Sequence, residues 1–450
     1  MKLNVDFSAS IGPIKAMHGV GQPPLLGLNT DKFCYLSEAG IPYSRLHDVA
    51  GWFGGNMFVD IPNIFRDFDA DETNPASYDF TFTDILITGL VEHNCKPVYR
   101  LGVTIENFHN IKAYRVYPPK DFAKWARICE HIIRHYNEGW ADGFHYDIKY
   151  WEIWNEPDSS VIIADNPMWK GTPEQFFDLY KITALHLRKC FGNTIKIGGY
   201  GACGFYAVFN AGANGAAAEG KQSIPDAEMQ ALINRRKGYV KFFDRFIRFV
   251  KEENLPFDFF SYHSYANAED TLKMQQYVEQ NLREQGLEDT EIHLNEWNPS
   301  PNPLTRGTAL AASNTAAMMC AMQNTRMDMM CYYDARIGTS VYGGLFNPLT
   351  YKPFCTYYAL KAFGELYKLG TQAQCDWEAD GIYAVAATGE CGKGIMLTNT
   401  TESAVFVECP QASGMTVQLI DDSHNLEPVK WNPEAFPLGA YQTVLLCDPS

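Results

Sequence analysis

Eight times between about residue 13 and about residue 370, a short apolar run bounded by turn residues gives way to a longer amphipathic stretch. That alternation marks parallel βα units, because parallel neighbours need a long crossover where antiparallel ones need only a tight turn. The apolar runs are Ile14 to Val20, Ile41 to His47, Pro97 to Leu101, Lys149 to Asn155, Ile195 to Tyr200, Asp258 to Tyr265, Glu291 to Glu296 and Asp328 to Asp334. The helical stretches are clearest at Phe122, Trp125, Ile128, Cys129, Ile132, Ile133 and Tyr136, which share one helix face between Pro118-Pro119 and Gly139. Pro353 to Leu369 supplies the eighth helix. The expected fold is α/β, a (β/α)8 TIM barrel over residues 10–370.

The barrel exceeds a minimal one by roughly a hundred residues, and the surplus falls in βα connections. These are Val49 to Thr81, the Ala/Gly-rich Gly201 to Lys237 and Ala335 to Lys352, all expected to rise on the face where the strands end. Ala213 to Gly220 reads as flexible. From Thr371 the texture changes to short alternating segments: Ile382 to Ala387, Gly394 to Thr398, Ala404 to Cys409, Thr416 to Ile420 and Tyr441 to Leu446. Residues 371–450 therefore read as a small C-terminal antiparallel β-sandwich, which the alternating N-terminal strand at residues 1–9 would join.

A net charge of -16 argues against nucleic acid as a partner, since phosphate binding needs a basic surface. The N-terminus lacks the apolar core of a secretory signal, and no stretch approaches the roughly 18 apolar residues of a membrane span. The twelve cysteines, spread from Cys34 to Cys447, include no Cys-x-x-Cys pair, so neither a metal site nor a disulfide framework is signalled. A reducing, cytoplasmic setting is expected, with no cofactor or metal, no nucleic acid and no membrane partner. The sandwich offers a surface for homo-oligomer formation.

Two glutamates end apolar runs on the same face. Glu156 lies in Tyr150-Trp151-Glu152-Ile153-Trp154-Asn155-Glu156-Pro157-Asp158, and Glu296 lies in Ile292-His293-Leu294-Asn295-Glu296-Trp297-Asn298-Pro299. They end the fourth and seventh strands, whose C-terminal ends face each other across the mouth of a closed barrel. Two such carboxyls are the minimum for breaking a glycosidic bond. One must protonate the departing oxygen while the other stabilises or attacks the anomeric carbon. A gap of about 5 Å implies retention of configuration, and one of about 6.5–9.5 Å leaves room for a water and inversion.

These segments resemble the retaining (β/α)8 glycosidases, and the whole chain resembles glycoside hydrolase family 39, the β-xylosidases and α-L-iduronidases. The resemblance rests on Trp154-Asn155-Glu156-Pro157, on Glu296, on Tyr43-Ser44-Arg45-Leu46-His47-Asp48, on Asp60 to Phe65 with Asp67-Phe68-Asp69, Pro75, Tyr78-Asp79-Phe80 and Thr83-Asp84, and on His263-Ser264-Tyr265. It implies that Glu156 is the acid/base and Glu296 the nucleophile. It further implies that Asn155 holds the sugar 2-hydroxyl, that Arg45 keeps Glu296 ionised, and that His47, His263 and Tyr265 contact the sugar or the nucleophile. Trp297 would supply an apolar pocket wall. The chain departs from the pattern at Tyr332-Tyr333-Asp334-Ala335-Arg336, where a tryptophan floor is expected, and at the Trp directly after Glu296.

Duller readings stand beside these. Glu152, deeper on the strand that carries Glu156, reads as structural, and Arg45 could pair with it instead of Glu296. His47 and His263 could be packing histidines, as His18 reads; Trp151 and Trp154 read as core and pocket floor. The expected function is a retaining exo-glycosidase releasing a terminal pentose, β-xyloside-like, from plant-derived oligosaccharides. Arabinosides or galactosides on side chains of arabinan or arabinogalactan are the alternative. A uronic acid substrate fits less well, because only Arg336 or Arg306 could meet its carboxylate. A non-catalytic carbohydrate-binding barrel would lack one glutamate, and a purely structural role leaves both unexplained.

Overall fold

The computed structural model describes residues 1–25, 31–48, 59–104, 116–208, 226–338, 340 and 342–449. The chain opens with β1 (Leu3–Pro13) and then forms β2 (Ala16–Gly21), β3 (Tyr43–Leu46), β4 (Lys96–Leu101), β5 (Tyr150–Ile153), β6 (Lys196–Ala202), β7 (Phe259–Ser264), β8 (Glu291–Trp297) and β9 (Met327–Tyr333). Strands β2 to β9 pair in parallel and in order, and β9 returns to β2, which closes the barrel. The expected (β/α)8 barrel is therefore present.

The helices between these strands are α1 (Cys34–Glu38), α2 (Ile61–Ile64), α3 (Thr81–Glu92), α4 (Phe122–Glu138), α5 (Pro173–Phe191), α6 (Asp226–Glu252), α7 (Ala268–Glu284), α8 (Ala309–Gln323) and α9 (Cys355–Leu369). Their ends follow local chemistry. Asp121 caps α4 by accepting from Lys124 N at 2.9 Å, and Gly139 closes it at φ 73°, where a side chain would be strained. Thr172 and Gln175 form a reciprocal capping box at α5.

Side chains inside the barrel fall in two layers. At the bottom Ala16, Val98, Met329 and Cys331 form an apolar plug with Tyr43 and Tyr150 around it. Two residues further along β3, β4 and β5 the same inward parity brings in Arg45, Arg100 and Glu152, all buried. The polar layer thus sits above the plug, at the strands' C-terminal ends.

The remaining strands are β10 (Thr371–Trp377), β11 (Ile382–Gly389), β12 (Gly392–Asn399), β13 (Val405–Glu408), β14 (Thr416–Ile420), β15 (Asn425–Val429), β16 (Ala435–Leu438) and β17 (Thr443–Cys447). Seven strands form one sheet in the order β1-β10-β11-β12-β17-β14-β15, with β13 and β16 as a separate pair. Leu3, Ala384, Leu397, Val407, Phe436 and Leu438 share the core between these unequal layers. The other sheet face, with Val385, Met396 and Leu445, joins the main core beside α8 and α9. Burial on both faces explains why β11 and β12 read as continuous apolar runs where simple alternation was expected.

Some expected boundaries shift. The N-terminal strand continues to Pro13 through register shifts against β10, so the first barrel strand begins at Ala16. Helix α6 begins at Asp226, inside the segment expected as a loop to Lys237. The Ala213 to Gly220 stretch lies outside the described residues. Among the described residues no helix is long and apolar enough to cross a membrane.

Candidate active site

Strand β5 ends at Ile153, and the chain turns away with Trp154 at φ 74° and Glu156 at φ 45°. Left-handed backbone at such residues costs about 1–3 kcal/mol each and persists only where the surroundings enforce it. Here Trp154 N donates to Leu101 O at 2.8 Å, and its indole is buried against Trp125 and Trp169. Glu156 N donates to the carbonyls of Tyr200 and Gly201 at 3.1 and 3.0 Å. Packing and β6 together aim both Asn155 and Glu156 into the barrel mouth.

On β8 the register against β7 and β9 slips around Asn295. This bulge lets consecutive residues point inward: Asn295 Nδ2 donates to Glu152 at 2.5 Å and Glu296 meets Arg45. Trp297 then points outward. It is 0% exposed and packs edge-to-face on Tyr332 at 5.2 Å, so the expected pocket wall at Trp297 is corrected to a core residue.

Arg45, from β3, is the hub. Its Nη1 donates to Glu296 Oε1 at 2.7 Å, its Nη2 to Asn155 Oδ1 at 2.7 Å and its Nε to Glu152 Oε2 at 2.8 Å. Both readings of Arg45 are therefore present at once. Burial opposes its charge, but Glu152 and Glu296 outweigh that and push its pKa up. Glu152 also accepts from Ser261 at 2.6 Å, which leaves it a satisfied buried anion.

One further donor reaches Glu296, and an imidazole stands near it. Tyr265 Oη donates to Oε2 at 2.9 Å, its own pKa raised by burial and by Glu296 so that the proton stays on the phenol. His47 Nε2 lies 3.2 Å from Asp48 and 3.7 Å from Glu296 Oε1. Arg100 Nε donates to His47 Nδ1 at 3.2 Å, which forces the proton onto Nε2, facing both carboxylates. Burial first, then Arg100 and Arg45, lower the His47 pKa well below the imidazole range, so His47 is neutral.

His263 Nδ1 sits between the two glutamates, 2.7 Å from Glu156 Oε1 and 3.5 Å from Glu296 Oε2. Carboxylate oxygens of Glu156 and Glu296 lie within 4.8 Å of each other. Burial opposes a charge on His263, but Glu296 and Glu156 raise its pKa. Burial also raises Glu156, but the His263 hydrogen bond outweighs it and the pKa falls; Glu296 rises through burial and the nearby Glu156, against His263 and Arg45. That order runs opposite to the acid and nucleophile roles expected of Glu156 and Glu296, and it belongs to the state with the proton on His263. Moving the proton across the 2.7 Å hydrogen bond onto Glu156 neutralises that carboxyl and removes its repulsion on Glu296, which keeps Arg45 and Tyr265 as donors. The trio titrates as one unit.

Beside Glu156, Asp158 is buried and accepts from Cys203 N at 3.3 Å, its pKa pushed up to about 8 by burial and by Glu156. On the far wall Tyr333 donates to Asp48 at 2.8 Å and accepts from Gln22 at 2.6 Å, and Gln22 accepts from Arg336 at 2.8 Å. Tyr265, Tyr333 and Tyr342 cluster with centroids 4.7–6.4 Å apart. Tyr333 thus stands where a tryptophan floor was expected. Sequence reasoning gave no role to Asn295, Ser261, Arg100, Gln22, Asp48 or Tyr333; Asp48 carried a signal in the segment Tyr43 to Asp48, and Tyr333 one as an inward aromatic at a strand end. The site brings together Glu156, Glu296, Asn155, Arg45, His47, His263 and Tyr265, and leaves out Trp297.

Among the described residues two clusters hold three metal-type donors within 4.8 Å, Glu156 with His263 and Glu296, and Glu130 with His186 and Cys190 between α4 and α5. Each has a carboxylate already paired with an arginine, Glu296 with Arg45 at 2.7 Å and Glu130 with Arg134 at 2.8 Å. That adjacent cation disfavours a metal ion at either position.

The family model described as glycosyl hydrolases family 39 matches residues 28–336. A beta-xylosidase of Caldicellulosiruptor saccharolyticus is 25% identical over 287 residues, covering 59% of this chain and 48% of that protein. One from Geobacillus stearothermophilus is 23% identical over 296 residues, covering 59% and 50%. The chain therefore spans about half the length of these curated relatives. The crystal structure of a glucosidase from Croceicoccus marinus superposes with a TM-score of 0.74 at 18% identity, covering 99% of this chain and 98% of that one. A family 39 enzyme from Xanthomonas axonopodis pv. citri gives 0.69 at 14% identity, covering 100% and 97%.

Proposed function

We propose, because the chain belongs to glycosyl hydrolases family 39, that it is a retaining exo-glycosidase acting on a terminal β-xyloside-like pentose. The observation that carries this reading is the approach of the two carboxyls to within 4.8 Å, with His263 Nδ1 between them. Retaining enzymes hold their carboxyls about 5–5.5 Å apart, and inverting ones leave space for a water. The beta-xylosidase relatives support a xylose-like glycone.

In the first step the proton held between His263 and Glu156 passes through Glu156 to the glycosidic oxygen, and the bond to the aglycone breaks. An oxygen of Glu296 forms a bond to the anomeric carbon from the opposite face. In the second step Glu156 takes a proton from water, the water oxygen attacks that carbon, and the bond to Glu296 breaks. Arg45 and Tyr265 hold Glu296 ionised and oriented without reorganising during the reaction. Asn155, whose Oδ1 is taken by Arg45, offers its amide N–H to the sugar 2-hydroxyl. The free thiols of all twelve cysteines fit a reducing cytoplasm.

The test is a screen of aryl glycosides of xylose, both ring forms of arabinose, galactose and glucose, with the wild type and Glu296→Gly. The expected result is turnover of the xyloside, lost in the variant and partly restored by azide as a glycosyl azide. Turnover of an arabinoside or galactoside instead would move the assignment to that sugar. Equal turnover in both proteins would remove Glu296 from its role.

A further inference from the structure

A crevice of about 560 Å³ opens between the catalytic face of the barrel and the C-terminal sheet domain. Its barrel wall comes from the β7–α7 connection, from the segment after β8 and from the first half of α8, and its other wall from Gly381, Tyr383, Thr400 and Tyr441. The volume lies in the usual range for a small-ligand site, about 300–1,000 Å³.

The lining chemistry selects a ligand class. Tyr265, Tyr383 and Tyr441 present aromatic surface, while asparagine, serine and threonine side chains supply mixed donors and acceptors. None of the described lining residues is Lys, Arg or His, and Glu269 and Asp270 add negative charge. Both acids are tied to Lys273, at 3.0 and 2.9 Å, on the first turns of α7. Such a surface rejects polyanions. It suits a neutral polyhydroxylated chain, whose C–H faces pack on tyrosine rings while its hydroxyls meet amides and carboxylates.

The crevice also touches the reaction centre through one ring. Tyr265 lines it, and the Tyr265 hydroxyl donates to Glu296 Oε2 at 2.9 Å. We propose that this crevice is a second, non-catalytic carbohydrate site, which holds a neighbouring stretch of the same neutral glycan whose terminal sugar enters the catalytic pocket. The proposal rests on the glycosidase reading. It adds that the sheet domain, through Tyr383, takes part in recognising substrates longer than a disaccharide.

The test is a titration of the full-length Glu296→Gln protein with β-1,4-xylo-oligosaccharides of two to six units, by calorimetry. The same titration follows in that background with Tyr383→Ala, which removes a ring, or Asn302→Trp, which fills the crevice. Affinity is expected to rise at least tenfold from two to six units and to lose that rise in either second variant. Flat affinity across the series, or a rise that survives both substitutions, would overturn the proposal. If the wild type prefers another aryl glycoside, the oligosaccharides of that sugar are used. If it cleaves none, the glycosidase reading fails, and the crevice is judged on xylohexaose binding alone.

Discussion

His263 Nδ1 lies 2.7 Å from Glu156 Oε1, a shorter link than its 3.5 Å to Glu296 Oε2. Activity in this account needs one proton on the His263–Glu156 pair and none on Glu296. Because the His263 pKa is raised above 6.5, that proton is retained past neutral-imidazole conditions and lost only as pH rises through the raised value. Because the Glu296 pKa is raised above 4.5, the nucleophile begins to be silenced above that pH as the solution is acidified. The His263→Asn variant loses the proton store and a cation that favours ionised Glu296. Its kcat/KM profile should narrow from both sides, the basic limb moving down and the acidic limb up. An unchanged basic limb would assign the proton elsewhere.

Gly201 adopts φ +59°, and a Cβ there would lie 2.9 Å from both Arg45 Nη2 and Asn155 Oδ1 and 3.2 Å from His263 Nε2. A methyl group would strain the backbone and press on three site residues at once. Misplacing reacting groups by about 1 Å costs roughly a hundredfold in rate. Gly201→Ala should therefore lower kcat/KM by about that factor while the protein remains folded by circular dichroism. Wild-type kinetics would mean that the site tolerates the shift.

Glu152 is the buried counter-ion of Arg45, and both are almost fully enclosed. Without Glu152, Arg45 would keep Glu296 as a counter-ion, but its Nε, Ser261 and Asn295 would lose a buried acceptor, at about 1–3 kcal/mol for each group left unsatisfied. Glu152→Ala should lose stability on that scale in denaturant unfolding. Glu152→Gln, which keeps the shape and the hydrogen-bonding oxygen, should lose less. Equal effects would indicate that charge, and not the buried acceptor, is what Glu152 supplies.

Much of the fold could be read from the chain because barrel strands buried by helices are apolar runs, and such runs stand out between amphipathic helices. The two candidate glutamates, Glu156 and Glu296, were legible because an acid at the end of an apolar run, beside Trp-Asn or Asn, has little structural excuse. What could not be read depended on backbone irregularity or on pairing at a distance. The bulge at Asn295 turns two consecutive side chains inward and sends Trp297 into the core, which a period of two cannot anticipate. Strand β10, Thr-Gln-Ala-Gln-Cys-Asp-Trp, carries little apolar signal and is held by β1, hundreds of residues earlier. The Arg100 contact that sets the His47 tautomer links two strands whose sequences say nothing of each other.

Glu156 and Glu296 hold carboxylate oxygens within 4.8 Å, a spacing suited to double displacement at one anomeric carbon. The most direct measurement is the anomeric configuration of the first sugar released from an aryl β-xyloside, followed by proton NMR before mutarotation. Retention predicts that the β-anomer appears first and the α-anomer only as the sugar equilibrates. Appearance of the α-anomer first would mean that water attacks directly, and would contradict a covalent intermediate on Glu296.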